Sequence, residues 1–108
     1  MNVLDYQNQV KLTQREHDDL FDRLNHLALG LAGEAGEVAN AVKKVVYHGH
    51  PLDSDKLVEE LGDTLWYLTA LADALHLDLA IVMDLNVTKL QKRYPEGFDP
   101  YRSLNRAS

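Results

Sequence analysis

Two pairs of acidic residues, Glu34 with Glu37 and Glu60 with Asp63, are the part of this sequence best suited to chemistry. Each pair is spaced i,i+3, which places both carboxylates on one face of a helix. The intervening loop, His48 to Ser54, is short enough to make the flanking helices antiparallel neighbours, so the two pairs can face each other. Four carboxylates brought together repel, and the arrangement makes sense with a hard divalent cation among their oxygens. Mg²⁺ fits best and Mn²⁺ is possible. A single ExxE or ExxD is usually surface charge, so the weight rests on joint placement. Glu34 falls inside the apolar stripe of Leu24, Leu27, Leu31, Val38, Val42 and Val45, where an unneutralised carboxylate would cost several kcal/mol. Glu60 and Asp63 flank a second such stripe.

Other chemistries find little support. Di-iron bundles require Glu-x-x-His, and no glutamate here has a histidine three residues on. There is no GxxxxGK phosphate loop and no GxSxG, and cysteine is absent. His48 and His50 read as turn residues. Gly33, Gly36 and Gly62 interrupt helical stretches beside the acids, each at a cost of about 1 kcal/mol relative to alanine. Tight helix packing would explain them, and so would a ligand approaching the backbone.

The elements that must position these groups are helices. Val3, Tyr6, Val10 and Thr13 predict a weakly amphipathic first helix from Val3 to about Arg15, followed by a junction at His17, Asp18 and Asp19. A long second helix is expected from about Asp19 to Tyr47, ended by Gly49 and Pro51. Asp53 or Ser54 caps a third, from about Asp55 to Leu75, with Leu57, Leu61, Leu65, Leu68, Leu71 and Leu75 as its core stripe. Trp66 points away from those leucines, and a subunit interface is the favoured reading over a surface aromatic partly covered by a loop. Asp78 caps a fourth helix to about Arg93, with Leu79, Val82, Met83 and Leu90 inward and Asn86 on the same stripe. The chain then leaves through turn residues. Residues 99–108 are expected to form a flexible tail beyond a core of about 19–98.

Composition agrees with one domain. The chain has 108 residues, 45% of them hydrophobic and 26% charged, and a formal net charge of -6 that disfavours anionic partners such as nucleic acids and membranes. No cysteine, no signal-like start and no long apolar run point to a soluble cytoplasmic protein. A chain this short buries a modest core, which makes self-association a plausible way to bury more.

The words GLAGEAGEV (30–38), KKVVYHGH (43–50), EELGDTLWYL (59–68) and NVTKLQKRYPEGF (86–98) together resemble the MazG-like all-α nucleoside triphosphate pyrophosphohydrolases. The family's ExxE followed some twenty residues later by ExxD is matched by Glu34/Glu37 and Glu60/Asp63. Gly33 stands where many members carry a further acid. The resemblance implies Mg²⁺-dependent hydrolysis of an NTP or dNTP between the α and β phosphates, giving a nucleoside monophosphate and pyrophosphate. The four acids would serve as metal ligands and catalytic residues, with Glu34 the first choice for proton transfer because an apolar setting raises its pKa. Tyr67 looks like a family position that contacts the nucleotide. Lys89 and Arg93, beside Asn86, are the expected substrate contacts, with Lys92 and Lys44 behind them. The expected architecture is an all-α bundle whose four-helix core is completed by dimerisation, as a homodimer or homotetramer, with Trp66 near the shared surface. Two non-catalytic readings stand beside it: a nucleotide-binding or protein-interaction module, and a structural dimer whose acids are surface charge.

Overall fold

In the computed structural model, which describes residues 1–15 and 19–106, the described residues form five helices: α1 (Val3–Thr13), α2 (Leu20–His48), α3 (Ser54–Ala74), α4 (Leu79–Arg93) and α5 (Pro100–Leu104). The described residues contain no β-strand, and the fold is all-α. Each start has a local cause. Asn2, Asp19, Asp53, Asp78 and Asp99 each accept a hydrogen bond from a backbone N–H two or three residues on. This satisfies donors that the first helical turn leaves open. Gly49, at φ 70°, ends α2 in the left-handed conformation. His76, at φ 57°, follows the end of α3, where the Leu77 N–H reaches back to the Ala72 carbonyl at 2.8 Å.

The boundaries differ from the sequence expectation by a residue or two, and α1 stops at Thr13. Of the expected junction, Asp19 caps α2, while His17 and Asp18 lie outside the described residues. In the segment expected to be a tail, α5 forms because Asp99 caps it and Pro100 occupies its first turn.

The long hairpin of α2 and α3 carries the fold, and α1 packs beside it against α3. Their meeting point is the core: Val10 (1% exposed), Leu27, Ala70 and Ala74 are buried, with Tyr6, Leu24, Trp66, Tyr67 and Leu71 packed around them. Beneath it Asp73 ties three helices. Its carboxylate accepts from Gln14 at 3.1 Å and pairs with Arg23 at 3.3 Å and Lys11 at 3.4 Å.

This packing corrects two expectations. Trp66 lies within the chain rather than on a bare subunit surface. It is half-buried against the core, its indole Nε1 donates to Thr13 Oγ1 at 2.8 Å, and its ring meets that of Tyr67 edge-on at 5.0 Å. The cause is α1, which covers this face of α3 in spite of its weak amphipathicity. Conversely, of the expected leucine stripe of α3 only Leu71 packs on this chain's own core, and Leu57 is half-buried. Leu61, Leu65, Leu68 and Leu75 are exposed, and the buried residues of α3 are Thr69, Ala70, Ala72 and Ala74. On α4 only Leu79 is buried, while Val82, Met83 and Leu90 are exposed. Val42, in the α2 stripe, is exposed as well.

The shape is correspondingly open. The radius of gyration is 17.0 Å, against about 13 Å for a compact domain of this length. The accessible surface is 8222 Å², where a compact monomer of this mass would show about 6,100 Å².

Candidate metal centre

The α2–α3 hairpin stacks its residues in layers. Nearest the turn are Lys44 on α2 and Lys56 on α3. Glu37 and Glu60 follow, then Glu34 and Asp63, and below them Gly30 and Tyr67 lead into the buried core at Leu27 and Ala70. The lowest polar layer is tightly closed. The ring of Tyr67 lies so near Gly30 that a Cβ there would overlap its Cδ1, Cε1 and Cζ atoms. Gly33, Gly36 and Gly62 behave differently, since a Cβ at any of them meets nothing within 4 Å. Tight packing inside the chain therefore accounts for Gly30 and not for the three glycines that interrupt the acidic stretches.

Three of the four acids converge. Glu34, Glu60 and Asp63 each place a carboxylate oxygen within 4.8 Å of the other two. Around an ion with metal–oxygen bonds of about 2.1 Å, ligand oxygens stand roughly 3 Å apart when adjacent and 4.2 Å apart when opposite. The three oxygens thus need only small side-chain adjustments to share one hard cation, and an all-carboxylate donor set suits Mg²⁺ or Mn²⁺. Glu37 stands outside this trio, one turn along α2 toward the turn of the hairpin.

The electrostatics record the crowding. Glu34 is half-buried, and its pKa is raised. Loss of hydration comes first among the causes, then the charges of Asp63 and Glu60, a hydrogen bond with Glu60 and the charge of Glu37. We give most weight to the neighbouring carboxylates, because Glu34 keeps contact with solvent while three acids face it. Glu37 therefore acts on the cluster through its field. Lys56, one turn before Glu60, supplies a counter-charge at 3.7 Å. Its i,i+4 spacing from Glu60 was the signal in the sequence that would have placed it here. Tyr6 carried no such signal, because it arrives from another helix. Its hydroxyl is pushed above its ordinary range by partial burial and by the negative charge of Asp63.

Beside the acids, toward the turn, lies a cavity of about 370 Å³ lined by Glu37, Asn40, Lys44, His50, Asp53 and Lys56 among others. Its volume is in the range of small-molecule sites. Lys44 is thus at the rim of the cluster. Asn86, Lys89 and Arg93 are not among the cavity's lining residues. They sit on α4, which packs against α1 and α3, and where Asn86 and Lys89 are exposed. Arg93 is half-buried, with its Nε buried and without a hydrogen-bond partner.

The matched family model is that of the MazG nucleotide pyrophosphohydrolase domain, and it covers residues 23–98, which include all four acids and all but the first three residues of the hairpin that carries them. This chain belongs to the MazG family. A relative of the MazG domain described here, the Gene 37 protein of Mycobacterium phage L5, is 40% identical over 83 residues, which cover 73% of each chain. No solved structure matches the chain significantly. The matched segment begins inside α2, so α1 of this MazG protein lies outside it. No helix among the described residues is long and apolar enough to cross a membrane.

Proposed function

We propose that this MazG protein is a Mg²⁺-dependent nucleoside triphosphate pyrophosphohydrolase, cleaving an NTP or dNTP between the α and β phosphates to a nucleoside monophosphate and pyrophosphate. The observation that carries this reading is the convergence of Glu34, Glu60 and Asp63 from two helices, inside the segment matched by the family. These residues would hold the ion, with Mn²⁺ as an alternative and Glu37 joining as a further ligand or through its charge. Bound there, Mg²⁺ would neutralise the polyphosphate and polarise the phosphorus under attack.

The chain's own groups supply the rest. Glu34, whose raised pKa suits proton transfer, is the proposed general base toward the attacking water. Lys44 and Lys56 bring positive charge to the cavity beside the acids, where the departing phosphates would lie. Tyr67, on the opposite side of the cluster, is the proposed contact for the nucleoside. Asn86, Lys89 and Arg93 are proposed to reach the substrate in the assembled oligomer, since within one chain α4 leaves its long face exposed.

The proposed assembly is a homodimer at least. The chain's accessible surface of 8222 Å² exceeds that of a compact monomer by about 2,100 Å², which matches what one partner buries in an obligate dimer. Leu61, Leu65 and Leu68 are exposed on α3, where helical geometry puts the first two about 160° around the axis from Asp63. Pairing across that face would complete a four-helix core and leave the acids accessible.

The test is to incubate the purified protein with a nucleotide panel and Mg²⁺ and to separate the products by ion exchange. Monophosphate and pyrophosphate are expected. Orthophosphate with a diphosphate, or no turnover, would reject the assignment.

A further inference from the structure

The nucleoside contact proposed at Tyr67 is a ring, and its plane is set by what it leans on. On the hairpin its neighbours are the Gly30 backbone and the ring of His26, which meets it edge-on with centroids 6.3 Å apart. A further neighbour is Trp66, edge-on at 83° and 5.0 Å. The outer torsion of a tryptophan is broad, so packing alone leaves an indole room to tilt. Here a hydrogen bond removes that freedom, since Nε1 donates to Thr13 Oγ1 at 2.8 Å. An indole N–H can only donate, and the Thr13 oxygen is free to accept because its own hydroxyl is turned to the Val10 and Gln9 carbonyls, 3.1 and 3.2 Å away. Thr13 ends α1, and its neighbours Lys11 and Gln14 are both fixed to Asp73 on α3. The family-matched segment begins at residue 23, so the restraint on Trp66 comes from outside it.

We propose that Trp66 is a positioning residue for nucleotide binding, its indole held by Thr13 so that the Tyr67 ring is presented to the nucleoside in one plane before the ligand arrives. The role rests on the contact proposed above for Tyr67. Without the hydrogen bond the ring must be ordered on binding, which raises KM about fivefold, within the range for immobilising one large side chain. The chemical step is untouched, so kcat is kept. An α1 that served stability alone would shift the melting temperature and leave KM where it was.

The experiment compares the full chain with Thr13→Val, which removes the acceptor, Thr13→Ser, which keeps it, and Trp66→Phe, which keeps a ring and loses the donor. Asn2→Ala is the control, because it removes the cap at the other end of α1, where Asn2 accepts from the Asp5 N–H at 2.9 Å. Tyr67→Leu tests the contact itself. KM and kcat are measured with the nucleotide panel and Mg²⁺ well below the melting temperature. Binding of the α,β-imido analogues of the same nucleotides is read from the emission of Trp66, the chain's only tryptophan, and by calorimetry for Trp66→Phe. Thr13→Val and Trp66→Phe should raise KM and Kd about fivefold with kcat kept, Thr13→Ser should restore both, and Asn2→Ala should lower the melting temperature without moving KM. An unchanged KM in Thr13→Val and Trp66→Phe would overturn the proposal, as would an equal rise in Asn2→Ala. A KM raised in Tyr67→Leu and unchanged in Thr13→Val would overturn the role of Trp66 alone. A wild-type KM in Tyr67→Leu would overturn the nucleoside contact and this role with it. Wild-type protein that neither turns over the panel nor binds the analogues would overturn the proposed function together with this role.

Discussion

The ring of Tyr67 lies against the backbone of Gly30, one turn below the layer of Glu34 and Asp63. This contact closes one side of the acidic cluster and joins it to the core, since Tyr67 also meets Trp66 edge-on, and Trp66 is hydrogen-bonded to Thr13 on α1. The geometry around the acids is therefore set in part by residues that carry no charge.

Replacing Gly30 with alanine is expected to displace the Tyr67 ring. Overpacking costs about 1–3 kcal/mol, offset by up to about 1 kcal/mol of helix propensity. A lower melting temperature and a loss of turnover larger than the stability change should follow. Thermal melts and kinetics on the same preparation check this, and a more stable, fully active variant would show that the ring moves aside freely.

Thr13→Val removes the acceptor of the Trp66 indole while keeping the side-chain shape. The loss of one hydrogen bond costs about 1 kcal/mol, which corresponds to a fall of about 5 °C in melting temperature for a domain of this size. Differential scanning calorimetry provides the measurement. No change would mean that the indole finds another partner at no cost.

Glu34 gives a pH dependence of defined sign. Its pKa in the folded chain is raised above the ordinary value of 4.5, whereas the unfolded chain keeps the ordinary value. The folded state therefore binds this proton more tightly, and the associated stability is fully present below 4.5 and lost as pH rises through the folded pKa. In a chelating buffer the wild-type protein should lose stability relative to Glu34→Gln as pH is raised across that window, and added Mg²⁺ should restore it. Parallel urea titrations of the two proteins would refute this if their difference did not vary with pH.

Removing a ligand should separate activity from folding. Glu60→Gln or Asp63→Asn is expected to lower turnover at least 100-fold, since both charge stabilisation and positioning are lost. The far-ultraviolet circular dichroism should stay helical. Retained activity would show that the metal is held elsewhere.

The exposed stripe predicts assembly. Leu61→Glu combined with Leu65→Glu should turn an oligomer into a 12.2 kDa species by light scattering. A wild-type protein that already elutes as a monomer, with a radius of gyration near 17.0 Å in solution, would rule out the dimer.

What the amino-acid order decided by itself is local. Asp53, Asp78 and Gly49 mark where helices begin and end, because caps and left-handed turns act within a few residues. The i,i+3 spacing of Glu34/Glu37 and Glu60/Asp63, with a short loop between, was enough to aim two acidic faces at each other. The family was legible from the same words. Periodicity could show that α3 has an apolar stripe but not which surface covers it. A helix of this composition offers two packable faces, and in this chain α1 occupies the face of Trp66 and Ala70 and leaves Leu61, Leu65 and Leu68 uncovered. Only the tertiary structure separated Glu37 from the three converging acids and brought Trp66 to Thr13. Both depend on how neighbouring helices are rotated and offset, which is set by contacts between residues far apart in the chain rather than by any one helix's own pattern.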